Sequence, residues 1–124
     1  MKRTPSDFLP LTPAVLHILL ALSAGEKHGY AMMREVDELS NGTVRLGPGT
    51  LYRSIKRMLD DGLIEEAEER QDPALDDERR RYYRLAPFGA QTLELESARL
   101  ERLLTVARQR RVNRPLARSS MGDA

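Results

Sequence analysis

A mainly helical domain with a small β-hairpin is what this sequence predicts, and three observations carry the prediction. Apolar residues recur at helical spacing in three stretches before residue 60, and again in a longer stretch after Pro87. Between the third and the last of these, two β-prone runs, 63–69 and 79–85, flank a polar loop. Glycine or proline stands at the junctions, among them Gly25, Gly42, Pro48, Gly62 and Pro87. The 124 residues suffice for one domain with one modest core, and 40% hydrophobic with 31% charged residues is a globular rather than a disordered balance.

The elements follow in order. Residues 1–10 read as a flexible arm. Thr12-Pro13 is a helix start, because the hydroxyl can cap and proline at the first helical position loses no needed hydrogen bond. The helix through AVLHILLAL is apolar nearly all round, with Val15, Leu16, Ile18, Leu19, Leu20 and Leu22. Such a helix is either central or partly covered by a second subunit. A second helix carries Met32, Met33, Val36 and Leu39 and stops at Asn41-Gly42. The run 43–46 is short and β-prone. Then LGPGT turns the chain, with Thr50 as the expected cap of a third helix.

On the third helix, Leu51, Ile55, Met58 and Leu59 make one stripe at roughly 100° per residue. Arg53 points nearly opposite, Lys56 and Arg57 flank it, and Tyr52 and Ser54 sit at the borders. A solvated surface explains most cationic helix faces. This one follows a glycine-proline turn and precedes a hairpin, the order of a winged helix-turn-helix, in which the third helix enters the DNA major groove. The expected layout is thus an arm over 1–10, a winged helix-turn-helix over 11–86, a dimerisation helix over 87–111 and a disordered tail over 112–124.

Composition narrows the function. The formal net charge is +1, so nucleic-acid binding must come from local clustering of cations. The chain has no cysteine, which excludes disulfides and thiol ligands and suits the cytoplasm. No apolar run reaches membrane-spanning length, and the first residues lack a signal-peptide core. His17 and His28 are too isolated for a metal site, and no phosphate loop or nucleophile–base pair is present. Neither catalytic residues nor a cofactor is expected. A winged helix that binds protein in place of DNA is the rival reading, and it has no use for a basic third helix.

Three segments carry a family resemblance: HGYAMMREV, GPGTLYRSIKRMLDDGLI and RRRYYRLAPFG. Together, in this order and spacing, they resemble the PadR family of bacterial transcriptional regulators over about residues 11–110. Ala86 stands where the family usually has threonine, which removes a helix cap before Pro87. The single last helix looks like the shorter branch of the family. The resemblance implies a homodimeric repressor of detoxification or efflux genes. Its third helix would lie in the major groove of an inverted-repeat operator, its hairpin on the flanking backbone, and a small aromatic or amphipathic effector would regulate it.

Site candidates follow. For DNA they are Thr50, Tyr52, Arg53, Lys56, Arg57, Arg80 and Arg84. Arg53 is the expected base reader, since a guanidinium can bond guanine O6 and N7 together. Tyr52 is divided between a phosphate contact and packing between the second and third helices. Strand alternation turns Arg80 and Arg84 to solvent, opposite Leu85. For dimerisation the candidates are Leu93, Leu100, Leu103, Leu104 and Ala107, of which Leu93, Leu100 and Ala107 are seven apart. For an effector, Leu16, Leu19, Leu20, Leu100 and Leu104 would line a pocket between first and last helices of opposite subunits.

Overall fold

The computed structural model describes residues 3–67 and 81–113. Helix α1 (Pro13–Ser23) starts where Thr12 Oγ1 accepts the Val15 amide. The two-residue strand β1 (Lys27–His28) leads into α2 (Gly29–Leu39), where His28 Nδ1 accepts the Ala31 amide as cap. Helix α3 spans Pro48–Asp60. Strands β2 (Ile64–Glu66) and β3 (Tyr82–Leu85) form the hairpin, and α4 runs Pro87–Asn113. The sheet order is β1-β3-β2, antiparallel throughout, with Lys27 opposite Tyr83 and Glu65 opposite Arg84.

Two expectations change here. The run 43–46 forms no strand. The Ser40 hydroxyl takes the Val44 amide at 2.9 Å and donates to the Val44 carbonyl at 3.1 Å, while Thr43 Oγ1 donates to the Ser40 carbonyl at 2.7 Å. These bonds wind the segment into a turn that leaves no extended edge for pairing. The arm is also more built than expected. Pro5–Phe8 make one turn of 3-10 helix, and the Phe8 ring meets the Phe88 ring edge-on at 5.7 Å. The Leu11 amide donates to Glu96 on α4 at 3.0 Å.

Helix α1 is the centre of the domain, packed against α2, α3, α4 and β3. That position accounts for its apolar circumference. Ile18, Leu19 and Leu22 meet Met32 and Val36 of α2, and Leu51, Ile55 and Met58 of α3, in one core closed by Leu63, Ile64, Tyr83 and Leu93. Each such side chain contributes about 1.5–3 kcal/mol by leaving water. Leu93 belongs to this core, so it is no part of a dimer seam, and the expected seam loses its first member.

Two close approaches fix the frame around α3. A Cβ on Gly29 would fall on Tyr52 Oη, so glycine there seats α3 against the start of α2. A Cβ on Gly89 would fall on the Leu63 carbonyl oxygen, which locks α4 to the entry of the hairpin. Beside it, the Ala86 amide donates to Leu63 O at 3.1 Å and the Ala86 carbonyl accepts from Ala90. The backbone secures this junction where a threonine side chain would otherwise cap it.

Candidate nucleic-acid interface

Helix α3 begins at Gly47 as N-cap with Pro48 in its first position. Thr50 therefore sits within the first turn and does not cap it; the cap lies three residues earlier than expected, at Gly47. Proline needs no partner for a missing N–H, and the following amides of the first turn stay open at an exposed helix start. Leu51, Ile55 and Met58 face the core with almost no exposed surface, and Leu59 is half-buried. The opposite face carries Thr50, Arg53, Lys56 and Arg57, all exposed.

Arg53 Nη2 donates to Thr50 Oγ1 at 3.3 Å, so its guanidinium lies over the first turn of α3. Arg53, Lys56 and Arg57 form no ion pair with any described residue. Three cations are thus presented together, on a helix held by the core behind them. Such a face is built to take anions, and a phosphate backbone or guanine edge suits it.

Tyr52 turns the other way. Its hydroxyl is buried against Gly29, which removes it from any phosphate and gives it the packing role between α2 and α3. The alternation on β3 holds, with Tyr83 buried and Arg84 outward, yet Arg84 is not a free cation. Arg84 Nε donates to Glu65 Oε2 at 2.8 Å, and Nη1 lies 3.6 Å from Glu26 Oε2. The hydrogen bond and charge of Glu65 hold the guanidinium above its ordinary pKa, with Glu26 adding to them. A phosphate would compete there with two carboxylates, so Arg84 clamps the sheet in this structure and is a less open cation than those of α3. Arg80 lies outside the described residues.

The structure also brings up cations that the sequence reading passed over. Arg45 stands in the turn before α3, highly exposed, 3.4 Å from Asp37. Arg3 of the arm reaches Asp61 just after α3 at 3.5 Å and covers the Phe8 ring at 5.0 Å. For Arg45, the signal was a cation in the connection between two helices of a helix-turn-helix. For Arg3, nothing local marked the contact, which spans 58 positions.

Helix α4 divides in two. Its first half is anchored: Thr92, Leu93 and Glu96 are buried. Glu96 accepts from Arg99 Nε at 2.5 Å and Nη2 at 2.9 Å, besides the Leu11 amide. Hydrogen bonding from Arg99 leads in drawing its carboxyl below the ordinary range, against the opposing effect of burial. In the second half Leu100, Leu103 and Leu104 remain 39%, 43% and 48% exposed, and Ala107 joins them at i, i+3, i+4 and i+7 on one face. Of the expected effector residues, Leu16 and Leu20 are half-buried, Leu100 and Leu104 are exposed, and Leu19 is sealed in the core beyond the reach of a ligand.

Among the described residues, no helix is long and apolar enough to cross a membrane, and no group of acidic or histidine side chains is placed to hold a metal ion.

Comparison with known proteins agrees with this geometry. A transcriptional regulator of Mycobacterium tuberculosis is 38% identical over 88 residues, 71% of this chain and 76% of its own. An uncharacterised 37.1 kDa protein of a Streptomyces fradiae transposon is 34% identical over 73% of this chain, which spans only 24% of that protein's length. Among solved structures, a PadR family transcription regulator from Clostridium difficile superposes with TM-score 0.65 at 26% identity, covering 79% of this chain and 97% of that one. Bacillus subtilis PadR, solved in complex with operator DNA, has the same fold at TM-score 0.57 and 24% identity, covering 68% of this chain and 45% of that one. The family model for PadR-like transcriptional regulators matches residues 16–95. The chain therefore belongs to the PadR-like family, a family of transcriptional regulators and not of enzymes.

Proposed function

We propose that this protein is a cytoplasmic homodimeric repressor that binds an inverted-repeat operator in double-stranded DNA and is released by a small molecule. The observation that carries the reading is the outer face of α3: Thr50, Arg53, Lys56 and Arg57 exposed together, their cations unpaired among the described residues, on a helix whose other face is core. Arg53 reads a guanine, Lys56 and Arg57 reach bases or phosphates, and the open amides at Gly49 and Thr50 hold a backbone phosphate. That B. subtilis PadR, which shares the fold, was solved in complex with operator DNA supports a DNA-binding reading.

Dimerisation is supported by α4. Leucines nearly half exposed along one face of a helix that has outrun its own domain are costly in water, and a second copy covers them. Leu100, Leu103, Leu104 and Ala107 form this seam. A two-fold pair then presents two α3 helices to two half-sites. The test is the double variant Arg53→Ala/Arg57→Ala, measured by fluorescence anisotropy on the DNA upstream of its own gene and by sedimentation. Operator binding should vanish, since each bidentate base contact is worth about 1–3 kcal/mol and every loss is doubled in a dimer. The oligomeric state should not change. Unaltered operator binding would remove α3 from the interface.

A further inference from the structure

The two histidines of the chain turn the same ring nitrogen to opposite kinds of partner. His17 Nδ1 lies 2.7 Å from the Pro13 carbonyl oxygen, which can only accept. That nitrogen therefore carries a proton, and the bond survives whether the ring is neutral or charged. His28 Nδ1 lies 3.2 Å from the Ala31 backbone nitrogen, whose N–H can only donate. This nitrogen must hold a lone pair, so the bond exists only while the imidazole is neutral. A proton at Nδ1 would set donor against donor and place a positive charge at the N-terminus of α2, the wrong end of the helix dipole for it. Asparagine or serine would cap this helix without titrating; histidine is the side chain whose charge ordinarily changes between about pH 5 and 8.

His28 also stands where two parts of the fold meet. Its ring packs edge-on against the Tyr82 ring at 5.4 Å, and its backbone lies opposite Tyr82 in the sheet. The next residue is Gly29, on which Tyr52 of α3 sits. The titratable groups of the surrounding groove are Glu26, Lys27 of β1, Tyr82 of β3, and Arg34, Glu35 and Glu38 of α2. The three carboxylates favour a charged ring, but Glu26 lies 3.6 Å from Arg84 and Glu35 lies 3.2 Å from Lys27, so two of them already hold cations. We infer that His28 is a pH-sensitive latch: neutral, it closes the first turn of α2 and keeps α3 seated on Gly29; protonated, it lets that turn open. The stability that the cap supplies is present while the ring is neutral and is lost as pH falls. The consequence for operator binding rests on the DNA reading above; the latch itself does not.

The test begins with the full chain without DNA. Long-range 15N spectra of the imidazoles near neutral pH should show His17 protonated at Nδ1 and His28 at Nε2 only. Thermal unfolding of the wild type, His28→Asn and His28→Ala is then followed from about pH 7.5 to 5.5. The asparagine keeps a cap that does not titrate, and the alanine has none at any pH. The wild type should melt with His28→Asn at the upper end and approach His28→Ala at the lower, a relative fall of about 4–8 °C. His17 and the carboxylates are common to all three proteins and cancel. A proton on His28 Nδ1 at neutral pH, or melting curves of the wild type and His28→Asn that stay parallel across the range, would overturn the latch. Operator affinity of the wild type relative to His28→Asn should fall by about fivefold over the same range, the factor that one cap represents. An unchanged ratio would detach the latch from α3. Failure of all three proteins to bind operator at neutral pH would count against the DNA reading, while the melting curves still decide the latch.

Discussion

The cations of α3 and the cations of the wing and α4 look alike in the sequence and behave in opposite ways in the fold. Arg53, Lys56 and Arg57 are exposed and form no ion pair with described residues. Arg84 is clamped by Glu65 and Glu26, and Arg99 by Glu96. A net charge of +1 therefore conceals a partition. Among the described residues, acidic side chains pair with the cations that hold the sheet and the helix junction, and none forms an ion pair with Arg53, Lys56 or Arg57. What distinguishes a binding surface here is the pairing of charge, not its density.

That contrast can be broken most severely with salt. If the α3 cations meet phosphates, a dimer neutralising roughly 6–10 of them should lose about three to five decades of operator affinity between 50 and 200 mM salt. A shallow dependence in a titration series would place the unpaired cations away from DNA.

On the structural side of the comparison, Glu96→Ala should cost about 3 kcal/mol in urea unfolding, because three hydrogen bonds to a buried carboxylate are lost. The pH dependence has a defined sign. The folded pKa of Glu96 lies below its ordinary value of 4.5, so its contribution is complete above that value and fades as pH falls through the lower folded one. Melting temperatures of the wild type and Glu96→Gln should differ most near neutrality and converge in acid.

A smaller change sharpens the geometry. Gly29→Ala pushes on the Tyr52 ring and so on α3 without altering any charge. It should cost about 2 kcal/mol of stability. Operator affinity should fall with it, if the tilt of α3 matters as much as its charge. The smallest effect is expected for Arg84→Ala, which should change operator affinity less than threefold in the same anisotropy assay. A loss comparable to that of an α3 arginine would return Arg84 to the DNA interface.

How much of this was legible beforehand depended on the reach of each interaction. The stripe of α3 and the cap of α1 are local, and Leu51, Ile55, Met58 and Thr12 are where periodicity and capping put them. Strand β1 was missed because two residues show no alternation, and Lys27 and His28 are extended only through pairing with Tyr83 and Tyr82. The run 43–46 has β-prone residues, but the Ser40 hydroxyl competes successfully for their backbone. The fate of Arg84 required the register that sets it opposite Glu65 and the approach of Glu26, neither written in local sequence. Tyr52 was undecidable until Gly29 was seen across from it. The family segments supplied the topology that periodicity alone left loose.

The bond from the Leu11 amide to Glu96 joins positions 85 apart. During synthesis Leu11 leaves the ribosome 85 residues before its anchor Glu96. Closing a loop that long has an entropic cost that grows only slowly with its length, yet it cannot begin before the ribosome has passed Glu96. The trihelical centre is free to gather earlier, while the arm is among the last parts to settle. A substitution that weakens the Leu11–Glu96 bond would burden that final step and leave the gathering of the three helices untouched.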